Sequence, residues 1–101
     1  MYTVTAIYQR PVATIPYFGG TTEGAEAVKR FTDLTKAAPG FVGVTFENSD
    51  DKLTSTAVYT WKTKKAYDAF LAANKKVLDA DAATRQAYND AHGITRQITK
   101  G

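Results

Sequence analysis

The chain has 101 residues, a formal net charge of +3, 12% aromatic residues, no cysteine and one histidine. That length makes one domain spanning residues 1–101; the missing cysteines exclude disulfides and thiolate chemistry, and a lone histidine excludes a histidine-rich metal site within one chain. No apolar run approaches the ~18 residues of a membrane span and no basic-then-apolar leader precedes the first strand, so no membrane partner and a cytoplasmic location are expected.

In chain order, Tyr2, Val4, Ala6 and Tyr8 alternate with Thr3, Thr5, Ile7 and Gln9, which predicts a strand from Tyr2 to Arg10 that Pro11 ends. Residues 11–22, PVATIPYFGGTT, form the longest irregular piece. Its Tyr17-Phe18 pair and Gly19-Gly20 allow three readings: a connector with its aromatics under the next helix, a lid hinged at the glycines, or a phosphate cradle without the usual fingerprint. Thr21 or Thr22 is expected to cap a first helix, with Glu23 and Glu26 near its positive end. Ala27, Phe31, Leu34 and Ala38 give that helix a buried stripe, and Pro39-Gly40 stops it.

Residues 41 to 71 organise the rest. Val42, Val44 and Phe46 alternate as a half-buried strand, Asn48-Ser49-Asp50-Asp51 supplies turn chemistry, and Leu53 to Thr60 pairs back antiparallel. Trp61 stands at the joint with a second helix, capped by Thr63, whose Ala66, Tyr67, Phe70 and Leu71 recur at helical spacing. Asn74 to Val77 interrupts the pattern. A third helical segment is expected from Leu78 to Ala91, capped by Asp79, with Ala80, Ala83, Ala87 and Ala91 as a smooth packing face. Gly93 is placed to end it, and Ile94 to Lys100 alternates as a last short strand. Lys62, Lys64, Lys65, Lys75 and Lys76 read as a solvated helix surface. Helices in so small a domain cover one sheet face, so the other is expected to meet a second copy of the chain.

The chemical inventory is short. His92 suits the negative end of a helix, where it either caps or transfers protons. Asp50-Asp51 lies in a turn and reads as solvated. The aromatics Tyr8, Tyr59, Trp61, Tyr67, Phe70 and Tyr88 serve either as core or as the lining of an apolar cavity between sheet and helices, with Tyr17 and Phe18 joining it if their loop is a lid. Arg96 shares a strand face with Ile94 and Ile98 and is the charge expected to reach such a cavity or a dimer seam. RNA-recognition motifs share this element order, but LTSTAVYTW lacks their basic-Gly-aromatic run, so no nucleic-acid partner is expected.

The element order, with AAPGFVGVTFE followed by STAVYTWKTKKAYDAFL, resembles the antibiotic-biosynthesis-monooxygenase-like members of the dimeric α/β-barrel superfamily. The resemblance implies an α+β, ferredoxin-like βαββαβ subunit and a homodimer with two sheets packed face to face. It also implies cofactor-independent oxygenation of a small aromatic or polyketide-like compound, with Tyr8, Trp61, Asn74 and Arg96 as the matching residue types. The alternative is a non-catalytic ligand-binding or assembly homodimer on the same fold. Many oxygenase-like members carry histidines in the helix after the tryptophan; here Phe70 and Asn74 or Lys75 stand in that region. Ile7-Tyr8, Phe70 and Ala80 occupy the places where haem-degrading relatives hold asparagine, tryptophan and histidine, which argues against haem degradation. No cofactor and no metal are expected.

Overall fold

A computed structural model describes all of residues 1–101. The chain runs β1 (Tyr2–Gln9), a single 3-10 turn (Phe18–Gly20), α1 (Thr22–Ala37), β2 (Phe41–Asn48), β3 (Thr54–Trp61), α2 (Lys64–Ala73), α3 (Lys75–His92) and β4 (Thr95–Lys100). The strands form one antiparallel sheet in the order β2-β3-β1-β4, the ferredoxin-like arrangement. Tyr2 lies opposite Trp61, Val4 opposite Tyr59, Ala6 opposite Ala57 and Tyr8 opposite Ser55. On the other side of β1, Ala6 faces Ile98 and Tyr8 faces Arg96. These pairings set one continuous sheet face against the helices, apolar at one end and polar at the other.

Local chemistry fixes the ends of the elements. Of the two candidate caps for α1 it is Thr21 whose side chain accepts from the Gly24 N–H, at 3.0 Å, and Thr63 accepts likewise from Ala66 at 3.1 Å. Gly40 and Gly93 close α1 and α3 at φ +84° and +69°, left-handed values that favour glycine. In the β2–β3 turn the Asp51 carboxylate accepts from the Ser49 hydroxyl at 2.6 Å and from the Leu53 N–H at 3.0 Å. The Ser49 hydroxyl bond and then the Leu53 amide hold its pKa below the usual carboxylate value. Asp51 therefore shapes the turn, whereas its neighbour Asp50 is simply solvated; the strand starts after Leu53 for the same reason.

Three expectations for α3 are corrected. The interruption is a single residue, Asn74 (φ −120°, ψ 15°), which ends α2 and begins α3, because nothing in Lys75-Lys76-Val77 prevents helix. Asp79 is consequently inside the helix, paired with Lys75, rather than capping it. Ala80, Ala83, Ala87 and Ala91 are all exposed, and the inward stripe is Leu78, Ala82, Arg85 and Asn89. Methyl groups gain little from burial, so the larger Leu78 sets the helix's rotation.

The core gathers at the start of β1 and the end of β3. Trp61, 1% exposed, packs with Val4, Tyr67 and Phe70, and Phe31, Leu34, Phe41 and Leu71 close around them. Ring centroids lie 5.0 Å from Trp61 to Phe70, 5.1 Å to Phe41 and 5.7 Å to Tyr67. The opposite sheet face is dominated by threonine, with Ile7 and Val58 the aliphatic residues that β1 and β3 place there, both half-buried. That is the composition the strand alternation placed there. No helix is long and apolar enough to cross a membrane.

Candidate functional site

Between the sheet and the helices lies a cavity of about 900 Å³. Its floor is the inward row of β1, β3 and β4: Val4, Ala6, Tyr8, Ser55, Ala57, Tyr59, Trp61, Arg96, Ile98 and Lys100. Ala27, Val28 and Phe31 of α1 and Leu78, Asp81, Ala82 and Arg85 of α3 make the roof, with Phe18 and Gly19 at one side. Alanine at positions 6, 57, 27 and 82 leaves the space that larger side chains would fill.

The two ends differ in chemistry. At the Trp61 end rings pack on rings, and the buried indole N–H has no hydrogen-bond partner. At the other end Arg96 donates through Nε to the Tyr8 hydroxyl at 3.0 Å, its guanidinium 5.8 Å from that ring's centroid. Tyr59 stands between them, edge-on to Phe31 at 5.2 Å, its pKa raised chiefly by burial and next by Tyr8. It is thus neutral at physiological pH, with a proton to donate. Arg85 reaches the same end from α3. Its pKa is lowered, first by desolvation, and Arg96 acts in the same direction, while Tyr8, Tyr59 and Asp81 oppose them. Arg85 makes neither a salt bridge nor a side-chain hydrogen bond. The carboxylate one turn before it, Asp81, is taken by Arg30 through two bonds of 2.7 and 3.1 Å.

Of the residues singled out from sequence, the cavity brings together Tyr8, Phe18, Tyr59, Trp61, Tyr67 and Arg96. Phe70 lies outside its wall, in the core behind Trp61. Asn74 is also outside and donates its amide to the Phe70 carbonyl at 2.9 Å, as a helix-junction residue does. His92 is exposed at the end of α3, stacked on Tyr88 at 4.1 Å and bonded through Nδ1 to the Tyr88 carbonyl; neither ring lines the cavity. Tyr17 turns away as well, its hydroxyl on the Lys52 carbonyl and its ring under Arg10 at 4.3 Å.

The 11–21 segment is tied down at several points. Arg10 donates to the carbonyls of Lys52 and Ile15, Tyr88 donates to that of Pro16, and buried Phe18 packs against Tyr88 at 5.6 Å. Phe18 contributes a fixed piece of wall, which favours the connector reading over a lid. The amides of Gly20 and Thr21 already donate to the carbonyls of Tyr17 and Phe18, so a phosphate cradle there lacks those donors. Arg85, Ser55 and Asp81 were missed from sequence. Their signal was Leu78, Asp81, Ala82 and Arg85 recurring at helical spacing, a stripe obscured because half of it is charged. No three histidine, cysteine, aspartate or glutamate side chains gather as a metal site.

No family model matches the chain, nor does any curated protein. Solved structures do. SnoaB, a cofactor-independent oxygenase from Streptomyces nogalater, superimposes with a TM-score of 0.66 at 18% identity, over 99% of this chain and 89% of that one. A dimeric ferredoxin-like protein from an uncultured marine organism gives 0.64 at 8% identity, over 99% and 92%. A monooxygenase of Streptomyces coelicolor in complex with the ligand nanaomycin D gives 0.57 at 14% identity, over 99% and 86%. The chain therefore has the ferredoxin-like α+β fold of the antibiotic-biosynthesis-monooxygenase-like and dimeric ferredoxin-like proteins, as its sequence resemblance implied.

Proposed function

We propose that this protein is a cofactor-independent oxygenase-type enzyme whose substrate is a small aromatic or polyketide-like compound bound between sheet and helices. The observation that carries the reading is the cavity itself. Its volume suits a two- to three-ring compound, its walls are aromatic and aliphatic, and its few polar groups converge at one end, as small-molecule sites are built. Oxygenation without a cofactor requires a substrate that can itself reduce O2. A phenol or enol does so once deprotonated, and two nearby guanidiniums favour that anion. For an anthrone the balance is one O2 consumed, a CH2 converted to a carbonyl, and one water released. The hydroxyls of Tyr8 and Tyr59 supply hydrogen bonds to the developing oxyanion. Air-saturated incubation with an anthrone tests the reading. Quinone formation matched by O2 uptake, faster with protein than in buffer, is expected; an uncatalysed rate contradicts it.

One observation favours a second reading, a binding protein of the same fold without catalysis. The Trp61 indole N–H is buried among rings, and Asn74 and His92 lie outside the cavity, so fewer of the expected polar groups reach a ligand. Tight ligand binding with no turnover would support it.

The functional unit in either reading is a homodimer joined through the outer sheet face, with Ile7 and Val58 at its centre. Face-to-face sheets pack about 10 Å apart, and a permanent pair buries more than about 2,000 Å² in total. Sedimentation is expected to give twice the chain mass, with Val58→Asp yielding monomer or aggregate. A monomeric wild type at micromolar concentration contradicts this assembly.

A further inference from the structure

We infer that the polar end of the cavity is an anion site, and that the compound it takes is an aromatic carboxylate held between Arg85 and Arg96. This rests on the reading of the cavity as a small-molecule site and adds the charge of its occupant. The one carboxylate beside the arginines there, Asp81, is already paired with Arg30, and the remaining polar side chains Tyr8, Tyr59, Arg85 and Arg96 are donors with a proton to spare. Arg96 spends only Nε, on Tyr8, which leaves its two terminal nitrogens. Tyr8 accepts that bond and keeps its own O–H. Tyr59 is neutral and its hydroxyl makes no hydrogen bond. Arg85 has all five N–H groups unspent, since Asp81 is held by Arg30.

Two guanidiniums facing one cavity with no free carboxylate is an unfavourable arrangement in the empty protein. Like charges repel, and a half-buried guanidinium forgoes part of its hydration. Arg85 makes no ion pair inside the fold, because the carboxylate one turn away, Asp81, is bonded to Arg30. The charge is balanced once an anion enters. The planar fork of arginine matches a carboxylate in two parallel bonds. The apolar body of the ligand then extends over Ala6, Ala57 and Ile98 toward Phe31.

Trp61, the only tryptophan, lines the cavity, so its fluorescence reports occupancy. The probes are 2-naphthoate and its uncharged isostere 2-naphthamide. Wild type is expected to bind the carboxylate at least about tenfold more tightly than the amide. Arg85→Met is expected to weaken the carboxylate far more than the amide and so to remove that preference. Losing a half-buried unpaired charge should also leave the empty variant's Tm at or above that of wild type. Arg85→Lys, which keeps a charge but not the fork, should retain part of the preference. Amide binding as tight as carboxylate binding, or a preference that survives Arg85→Met, overturns the anion site and leaves the cavity reading intact. If neither probe binds, the cavity reading fails and this one fails with it.

Discussion

The two ends of the sheet's helix-facing side are made for different purposes. At the Trp61 end three aromatic rings lie 5.0 to 5.7 Å from the centre of the Trp61 ring and close the core around it. At the Arg96 end the residues are small or polar, space remains between sheet and helix, and an unpaired guanidinium points into it. Both ends use the same strands in the same register. The difference is that one end is filled from within the chain and the other keeps open space. Stability in this protein is thus concentrated at the packed end, and the open end carries guanidinium charge that the packed end must offset.

Substitutions at the two ends should therefore behave differently. Trp61→Ala removes the residue every nearby ring packs against and should cost about 3–5 kcal/mol, read as a lowered urea midpoint. In a domain of this size that is a large part of the total. A loss below about 1 kcal/mol would mean the packed end is not the stabilising one. Thr63→Ala, which frees the first turn of α2 beside Trp61, should cost about 1 kcal/mol. Thr63→Ser should restore most of it. At the open end Tyr8→Phe removes only the partner of Arg96, and should change stability by about 0.5 kcal/mol.

The smallest effect is one of pH. Burial raises the Tyr59 pKa above the ordinary phenol value of 10.0. A phenol that titrates higher when folded gives a contribution fully present below pH 10, lost as pH rises through the folded value. The midpoint of alkaline unfolding should accordingly shift upward in Tyr59→Phe, with no change near pH 7. An unchanged alkaline midpoint would place Tyr59 in water rather than in the wall.

Much of this contrast is legible in the sequence, and the parts that are not have physical causes. Strand alternation located Tyr8, Tyr59, Trp61 and Arg96 on the correct face, because a period of two leaves no ambiguity once one residue is placed. Thr63, Pro39-Gly40 and Gly93 marked helix ends through side-chain and backbone chemistry that acts within a few residues. For α3 the pattern marks the helix but not its start or its inward face, because an alanine-rich segment supports several rotations, and its inward side carries Arg85 with Asp81 beside it. A helix whose buried side is charged looks like a surface helix, and only the cavity it faces explains it. His92 and Asn74 drew attention by residue type, yet both serve the backbone near helix termini. That distinction depends on where α3 begins and ends, which local pattern left open by three residues at its start.

The division into a filled end and an open end is tested most directly by backbone amide shift mapping during titration with 2-naphthoate. The predicted outcome is a contiguous set of shifts at Tyr8, Ser55, Arg85 and Arg96, fading toward Tyr2 and Tyr67. Shifts confined to Thr5, Val58 and Gln97 on the opposite sheet face, or centred on Trp61 and Tyr67, would contradict the account.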